Sequence, residues 1–185
     1  MRVAELMWLA IFVLWAILGF TSKQTVGSQS DARARFLVWV VMLAWFILLD
    51  DRLDVGVLGV HFLARGPVSG NVGLALTIIG LAFTVWARFT IGRNWGSMIT
   101  VQQDHQLTQR GPYAIVRHPI YSGFMLATLG TAIIRGQIGG LISVALIVIA
   151  WGYKARLEES FMTEQFGTQY DEYRHRVKGL IPGIW

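Results

Sequence analysis

Residues 120–153 read IYSGFMLATLGTAIIRGQIGGLISVALIVIAWGY, two apolar runs (120–134 and 138–153) parted only by Arg135-Gly136-Gln137. So short a connection between two helical runs demands an antiparallel hairpin. Composition places that hairpin in a membrane: 54% of the 185 residues are hydrophobic and only 15% charged, against roughly a quarter charged in soluble domains. Eight tryptophans agree, since indole rings favour the bilayer interface.

Upstream, residues 71–91 (NVGLALTIIGLAFTVWARFTI) form a clear spanning segment, with Arg88 placed to snorkel at its far end. Residues 36–49 give a shorter apolar run, ended by Asp50, Asp51 and Arg52. Residues 3–20 give another; no small-residue cleavage site closes it, so it reads as a retained membrane helix rather than a signal peptide. Between these runs, 21–35 is a polar loop. Residues 54–70, with Gly56, Gly59, Gly66 and Pro67 weakening any helix, read as an interfacial or re-entrant connection. The expected fold is all-α, an integral membrane protein with about five transmembrane helices: N-terminal membrane helices and connection over 1–70, and a core over 71–185.

Downstream, the tail 154–185 turns soluble in character. Leu157, Phe161, Met162 and Phe166 recur at helical spacing and predict an amphipathic helix that continues the last span until Gly167. A second short helix over 168–177 and a turn at Pro182 complete it. In a five-span arrangement Lys23, Arg33, Arg35, Arg88, Arg93, Arg110, Arg117, Lys154, Arg156, Arg174, Arg176 and Lys178 share one side, leaving Arg2, Arg52, Arg65 and Arg135 on the other. The positive-inside rule puts the 92–119 loop and the helical tail in the cytoplasm. The net charge of +5 therefore reads as topology and attraction to anionic headgroups, not nucleic-acid binding.

The polar chemistry concentrates in Arg110–Gly123, RGPYAIVRHPIYSG. Pro119 sits where a missing N–H costs nothing at a helix start, and it pushes His118 toward extended backbone. Arg117 and His118 are thereby aimed above a helix N-terminus, where an anion is favoured; the plain alternative is that they anchor the loop to lipid phosphates. Gly123 lets a flat group or a neighbouring helix approach. No HxxxH or HxxE spacing supports a metal site, and no GxSxG supports a serine hydrolase. Without cysteine the chain has no thiol chemistry. Where the last span leaves the membrane, Lys154 and Glu158 can pair along one helix face, either as surface stabilisation or as part of a site. Glu158 and Glu159 point about 100° apart on a helix, so at most one is expected to face that site.

The run GPYAIVRHPIYSG, the hairpin, and then EESFMTEQFGTQYDEYRHRVKGLIPGIW resemble the isoprenylcysteine carboxyl methyltransferase family and its prokaryotic relatives. The resemblance rests on Gly111, Pro112, Tyr113, Arg117, His118, Pro119, Tyr121, Gly123, Glu158, Glu159, Phe166, Gly167, Tyr170, Tyr173, Val177, Ile181 and Pro182, over roughly residues 88–185. Gly92-Arg93-Asn94-Trp95 and His105-Gln106-Leu107 look like the bacterial branch, which implies a bacterial inner membrane. The resemblance implies a methyltransferase using S-adenosylmethionine and a lipophilic or lipidated acceptor carrying a carboxylate or thiol. By the same analogy His105, Leu107, Tyr113, His118, Pro119, Tyr121 and Glu159 line the cofactor, with Gly111, Pro112, Arg117 and Gly123 in the same motif. The resemblance further implies that Lys154, Arg156, Glu158 and Glu159 form the catalytic group. Eukaryotic members resemble one another in an arginine where this chain has Lys154, a point charge in place of a bidentate fork. Two other classes fit the sequence: a membrane NADPH-dependent reductase of the sterol reductase type, and a non-catalytic lipid-binding protein.

Overall fold

The computed structural model describes residues 2–19, 25–28, 32–92, 100–102 and 107–184. Its elements in chain order are α1 (Arg2–Gly19), β1 (Thr25–Ser28), α2 (Ala32–Leu49), α3 (Pro67–Ile91), β2 (Thr100–Gln102), α4 (Pro119–Arg135), α5 (Ile138–Phe166) and α6 (Thr168–Arg176). Helices α1, α3 and α5 are long and apolar enough to cross a bilayer, and α2 contributes a shorter apolar run. With α4 they make the membrane body of an all-α protein. The polar loop at 21–35 is not wholly irregular: β1 pairs antiparallel with β2, tying the first loop to the one that precedes the site.

Helix α3 begins four residues earlier than the apolar run suggests. Pro67 at the first turn has a preset φ, and the Gly66 N–H donates to the Ser69 hydroxyl at 3.1 Å, so 67–70 join the helix instead of the connection. The connection itself docks on the α4–α5 turn, where Phe62 N–H donates to the Gly136 carbonyl at 2.9 Å and Ile138 N–H to Val60 at 2.9 Å. Gly136 takes a left-handed φ of 64°, which closes α4 tightly enough for α5 to return beside it.

Helices α3 and α4 pack through missing side chains. A Cβ on Gly80 would lie 2.5 Å from the Gly123 carbonyl oxygen, and one on Gly73 2.5 Å from that of Gly130. The glycines are seven residues apart on each helix, two turns, so two backbone contacts recur along one seam. Threonines complete it: Thr77 Oγ1 donates to its own Gly73 carbonyl at 2.9 Å and lies 3.3 Å from Thr131 Oγ1. Each buried hydroxyl thereby has a partner in a low-dielectric setting.

Aromatic rings hold the first two helices to this pair. Trp8 of α1 is fully buried, stacks with Phe124 at 5.9 Å and donates its indole N–H to Thr131 at 3.0 Å. Trp45 of α2 meets Phe124 at 5.3 Å and Trp151 at 5.7 Å. These indoles form core, not interface as the composition implied, because Thr128 and Thr131 supply the hydrogen-bond acceptors that an indole otherwise seeks among headgroups.

Two arginines also depart from expectation. Arg88 does not snorkel outward; it is buried and donates to the carbonyls of Leu18 (2.8 Å) and Gly92 (2.7 Å), joining the ends of α1 and α3. Arg135, counted as a basic loop residue, is buried at the opposite end of the bundle, where its guanidinium meets the Leu48 carbonyl, Asp54 and the Gln137 side chain.

Candidate functional site

Helix α5 continues in one piece from the bundle to Phe166, so one stripe passes from apolar to charged: Ile147, Trp151, Lys154 and Glu158 follow at three- and four-residue steps. Opposite this stripe α4 starts. Pro119 occupies its first position and His118 its N-cap, with φ −120° and ψ 60°. The imidazole is thus held at the mouth of α4, facing the upper part of α5.

Both glutamates converge there. His118 Nε2 lies 3.1 Å from Glu159 Oε1, and Nδ1 lies 3.5 Å from Glu158 Oε2. The expectation that only one of the two adjacent residues faces the site is corrected: the ring presents a nitrogen on each edge, so carboxylates diverging from neighbouring positions both reach it. Arg117 donates to Glu159 through Nε at 3.0 Å and Nη2 at 2.6 Å, and Tyr121 Oη donates to Glu158 at 2.6 Å. Lys154 Nζ stands 3.8 Å from Glu158 and 5.6 Å from the centre of the Tyr121 ring. Tyr121 stacks with His118 and with Trp151, linking the polar cluster to the aromatic core below.

Charge pairing sets the protonation. Burial alone would lower the pKa of His118, but the two carboxylates overcome it and hold the imidazole above its ordinary value. Burial would likewise raise Glu158 and Glu159; the bonds from His118, with Lys154 beside Glu158 and Arg117 beside Glu159, hold both below the usual range. Burial, with Tyr173 and Glu158 nearby, pushes the phenol of Tyr113 well above its usual value, so it stays a neutral hydroxyl.

The C-terminal segment closes the cluster from outside. Gly167, at φ 51°, ends α5 and turns the chain into α6, whose Tyr173 hydroxyl donates to the Tyr113 carbonyl at 2.6 Å. The chain then runs beside Arg117: Arg117 N–H donates to Lys178 at 2.8 Å, His118 N–H to Gly179 at 3.0 Å, and the Arg117 guanidinium to the carbonyls of Arg174 and Val177. Ser122 Oγ reaches the Leu180 carbonyl at 2.6 Å.

Of the residues marked by sequence, Tyr113, Arg117, His118, Tyr121, Lys154, Glu158 and Glu159 come together. Gly111, at φ 60°, and Pro112 form the turn that seats Tyr113, with Gly111 against Thr90 of α3. Pro119 is buried in its helix start. Gly123 lies in the α3–α4 seam, its space taken by the Thr84 hydroxyl and the α3 backbone at Gly80 and Thr84. Arg156 is on the exposed face of α5, two residues and about 200° from Lys154. Leu107 is half-buried at the start of the described segment, and His105 lies outside the described residues. Sequence reasoning missed Trp151 and Ser122; the spacing of Trp151 with Lys154 and Glu158 was the available signal.

The family model described as phospholipid methyltransferase matches residues 68–169. Among curated proteins, protein-S-isoprenylcysteine O-methyltransferase B of Arabidopsis thaliana is 33% identical over 119 residues, covering 62% of this chain and 59% of that protein. The Saccharomyces cerevisiae protein-S-isoprenylcysteine O-methyltransferase is 30% identical over 118 residues, 61% of this chain and 48% of its own. The chain thus spans at most about three fifths of the length of these relatives. A solved structure of the eukaryotic intramembrane Ras methyltransferase, isoprenylcysteine carboxyl methyltransferase, superposes with a TM-score of 0.57 at 27% identity, covering 86% of this chain and 55% of that one. With more than half of its residues under the family model, and with the membrane fold of that methyltransferase, the chain belongs to the phospholipid methyltransferase family.

Proposed function

We propose that the chain is a membrane methyltransferase that takes its methyl group from S-adenosylmethionine and delivers it to a lipophilic acceptor, a prenylcysteine-like carboxylate or a thiol. The convergence of Glu158 and Glu159 on His118 carries this reading. The donor is a zwitterion with a sulfonium, and the cluster offers both signs: two carboxylates for an ammonium or for ribose hydroxyls, and Arg117 and His118 for a carboxylate. Tyr113 and Tyr121 add neutral hydroxyls and aromatic surface. The residues fit the group.

When bound, that donor supplies an electrophilic methyl on sulfur, open to in-line displacement. The work left to the protein is positioning and exclusion of water. A carboxylate acceptor needs no proton removed, so Glu158 and Glu159 serve as holding groups rather than bases. Lys154, buried at the level where α5 leaves the apolar core, is placed to orient an acceptor carboxylate by charge. Trp151 below it excludes water and marks the apolar side of approach. The loop at 107–119 and the tail face the cytoplasm by the distribution of Lys and Arg.

Isothermal titration of the purified protein in detergent tests the reading. Saturable binding of S-adenosylmethionine or its demethylated product, undisturbed by NADPH, is expected; absence of binding to both overturns it. Radiolabelled methyl transfer to an S-farnesylcysteine derivative, compared with its carboxamide, then separates a carboxylate acceptor from the others.

A further inference from the structure

The segment that closes the site carries charge of its own. From Arg174 to Ile184 there is no acidic residue, while Arg174, His175, Arg176 and Lys178 are all exposed. Arg110 is exposed on the neighbouring segment, which Arg176 reaches by donating to Gln109 Oε1 at 2.7 Å and which Lys178 meets through its bridge to Val116. Among the described residues, none of these side chains forms an ion pair with a carboxylate.

Depth is fixed by a hydrogen bond. Leu180 is held by the hydroxyl of Ser122, one turn into α4, so the residues beyond it lie level with the entry of α4 into the apolar body. There Ile181 is 43% and Ile184 76% exposed, and Ile115, next to the Val116 that bridges to Lys178, is 44% exposed. Cations next to uncovered aliphatic side chains, at the height where a helix enters the bilayer, match the boundary between headgroups and acyl chains.

We propose that Arg174–Ile184, together with Arg110 and Ile115, docks on an anionic leaflet, with its cations on lipid phosphates and its isoleucines below them. The docked segment is the one whose carbonyls, from Arg174 to Leu180, receive Arg117, His118 and Ser122. Lipid charge therefore steadies the outer wall of the cluster without touching it.

The amides of Arg117 and His118 report on this directly, because both donate to the docked segment, and the measurement is independent of methyl transfer. Hydrogen exchange is followed in the full chain, reconstituted in nanodiscs of phosphatidylcholine alone or with phosphatidylglycerol added. Exchange in peptides covering 113–122 slows at least about fivefold with phosphatidylglycerol, the factor a single interfacial cation is worth, and high salt removes the difference. The R174Q/R176Q/K178Q variant, which keeps every carbonyl, loses the response, while R174K/R176K retains it. Equal exchange in the two lipids overturns the proposal, as does a response that survives in the neutral variant. Protection that rises with added polyglutamate but not with phosphatidylglycerol would assign the surface to an acidic protein and also overturns it.

Discussion

Nε2 of His118 stands 3.1 Å from Oε1 of Glu159, across 41 positions of sequence, and joins the start of α4 to the upper turns of α5. Replacing His118 by Ala leaves two largely buried carboxylates short of a donor. We expect a loss of about 2 kcal/mol in thermal or denaturant unfolding in detergent, with a larger loss of donor affinity. His118→Asn, which keeps one donor, should recover part of the stability. An unchanged Tm in the Ala variant would show that the contact is not maintained in solution.

The same contact makes stability depend on pH with a definite sign. His118 has a raised pKa when folded, so its contribution is complete below the ordinary value of 6.5 and is lost as pH rises through the raised value. Glu158 and Glu159 have lowered values; their contributions are complete above 4.5 and fade as pH falls through the lowered ones. Stability is therefore expected to be greatest between these limits. A Tm series from acid to neutral pH checks this, and in His118→Asn the decline above 6.5 should flatten.

Gly123 belongs to a seam with no spare volume. Gly123→Val should cost about 1–3 kcal/mol by forcing α3 and α4 apart, and Gly80→Val should do the same from the other side. Because a Cβ at either position would meet the other glycine's carbonyl, at 2.5 and 2.6 Å, the two losses should not add in the double variant. Proteolysis in detergent micelles reads the loosening, and full resistance in both variants would show that the helices can part without cost.

On the proposed function, Lys154 acts on the acceptor and not on the donor. Lys154→Gln should raise KM for a carboxylate acceptor by about tenfold, the loss of one charge-assisted contact, while donor affinity changes little. Lys154→Arg should retain most of the activity. Equal losses for donor and acceptor would place the ammonium in the donor site.

Sequence showed the membrane body well because its apolar runs end at charged residues, and Gly167 marked the break before α6 because no other residue type so readily takes φ near 51°. The tertiary assignments were less visible. Composition identifies Trp8 and Trp45 as indoles but cannot place Thr131 and Thr128 beside them, 123 and 83 residues away. Nor can helical geometry alone show that Glu158 and Glu159 share a partner, since the sharing depends on a ring with two nitrogens inserted between them. Arg88 and Arg135 read as surface charges because Leu18, Leu48 and Asp54, which receive them, lie some seventy to ninety residues earlier in the chain.

Arg135 has a consequence for how the molecule is made. Its guanidinium sits at the turn of the α4–α5 hairpin, so in the orientation proposed above, with the open end of the hairpin in the cytoplasm, insertion carries it through the hydrocarbon at a cost of about 3 kcal/mol for an unaccompanied arginine. Asp54 and the Leu48 carbonyl, which receive it, are synthesised some eighty residues earlier. In that orientation the earlier segments are a receptor waiting on the far side for a charge that arrives later. The order of synthesis and the order of assembly agree at this one residue.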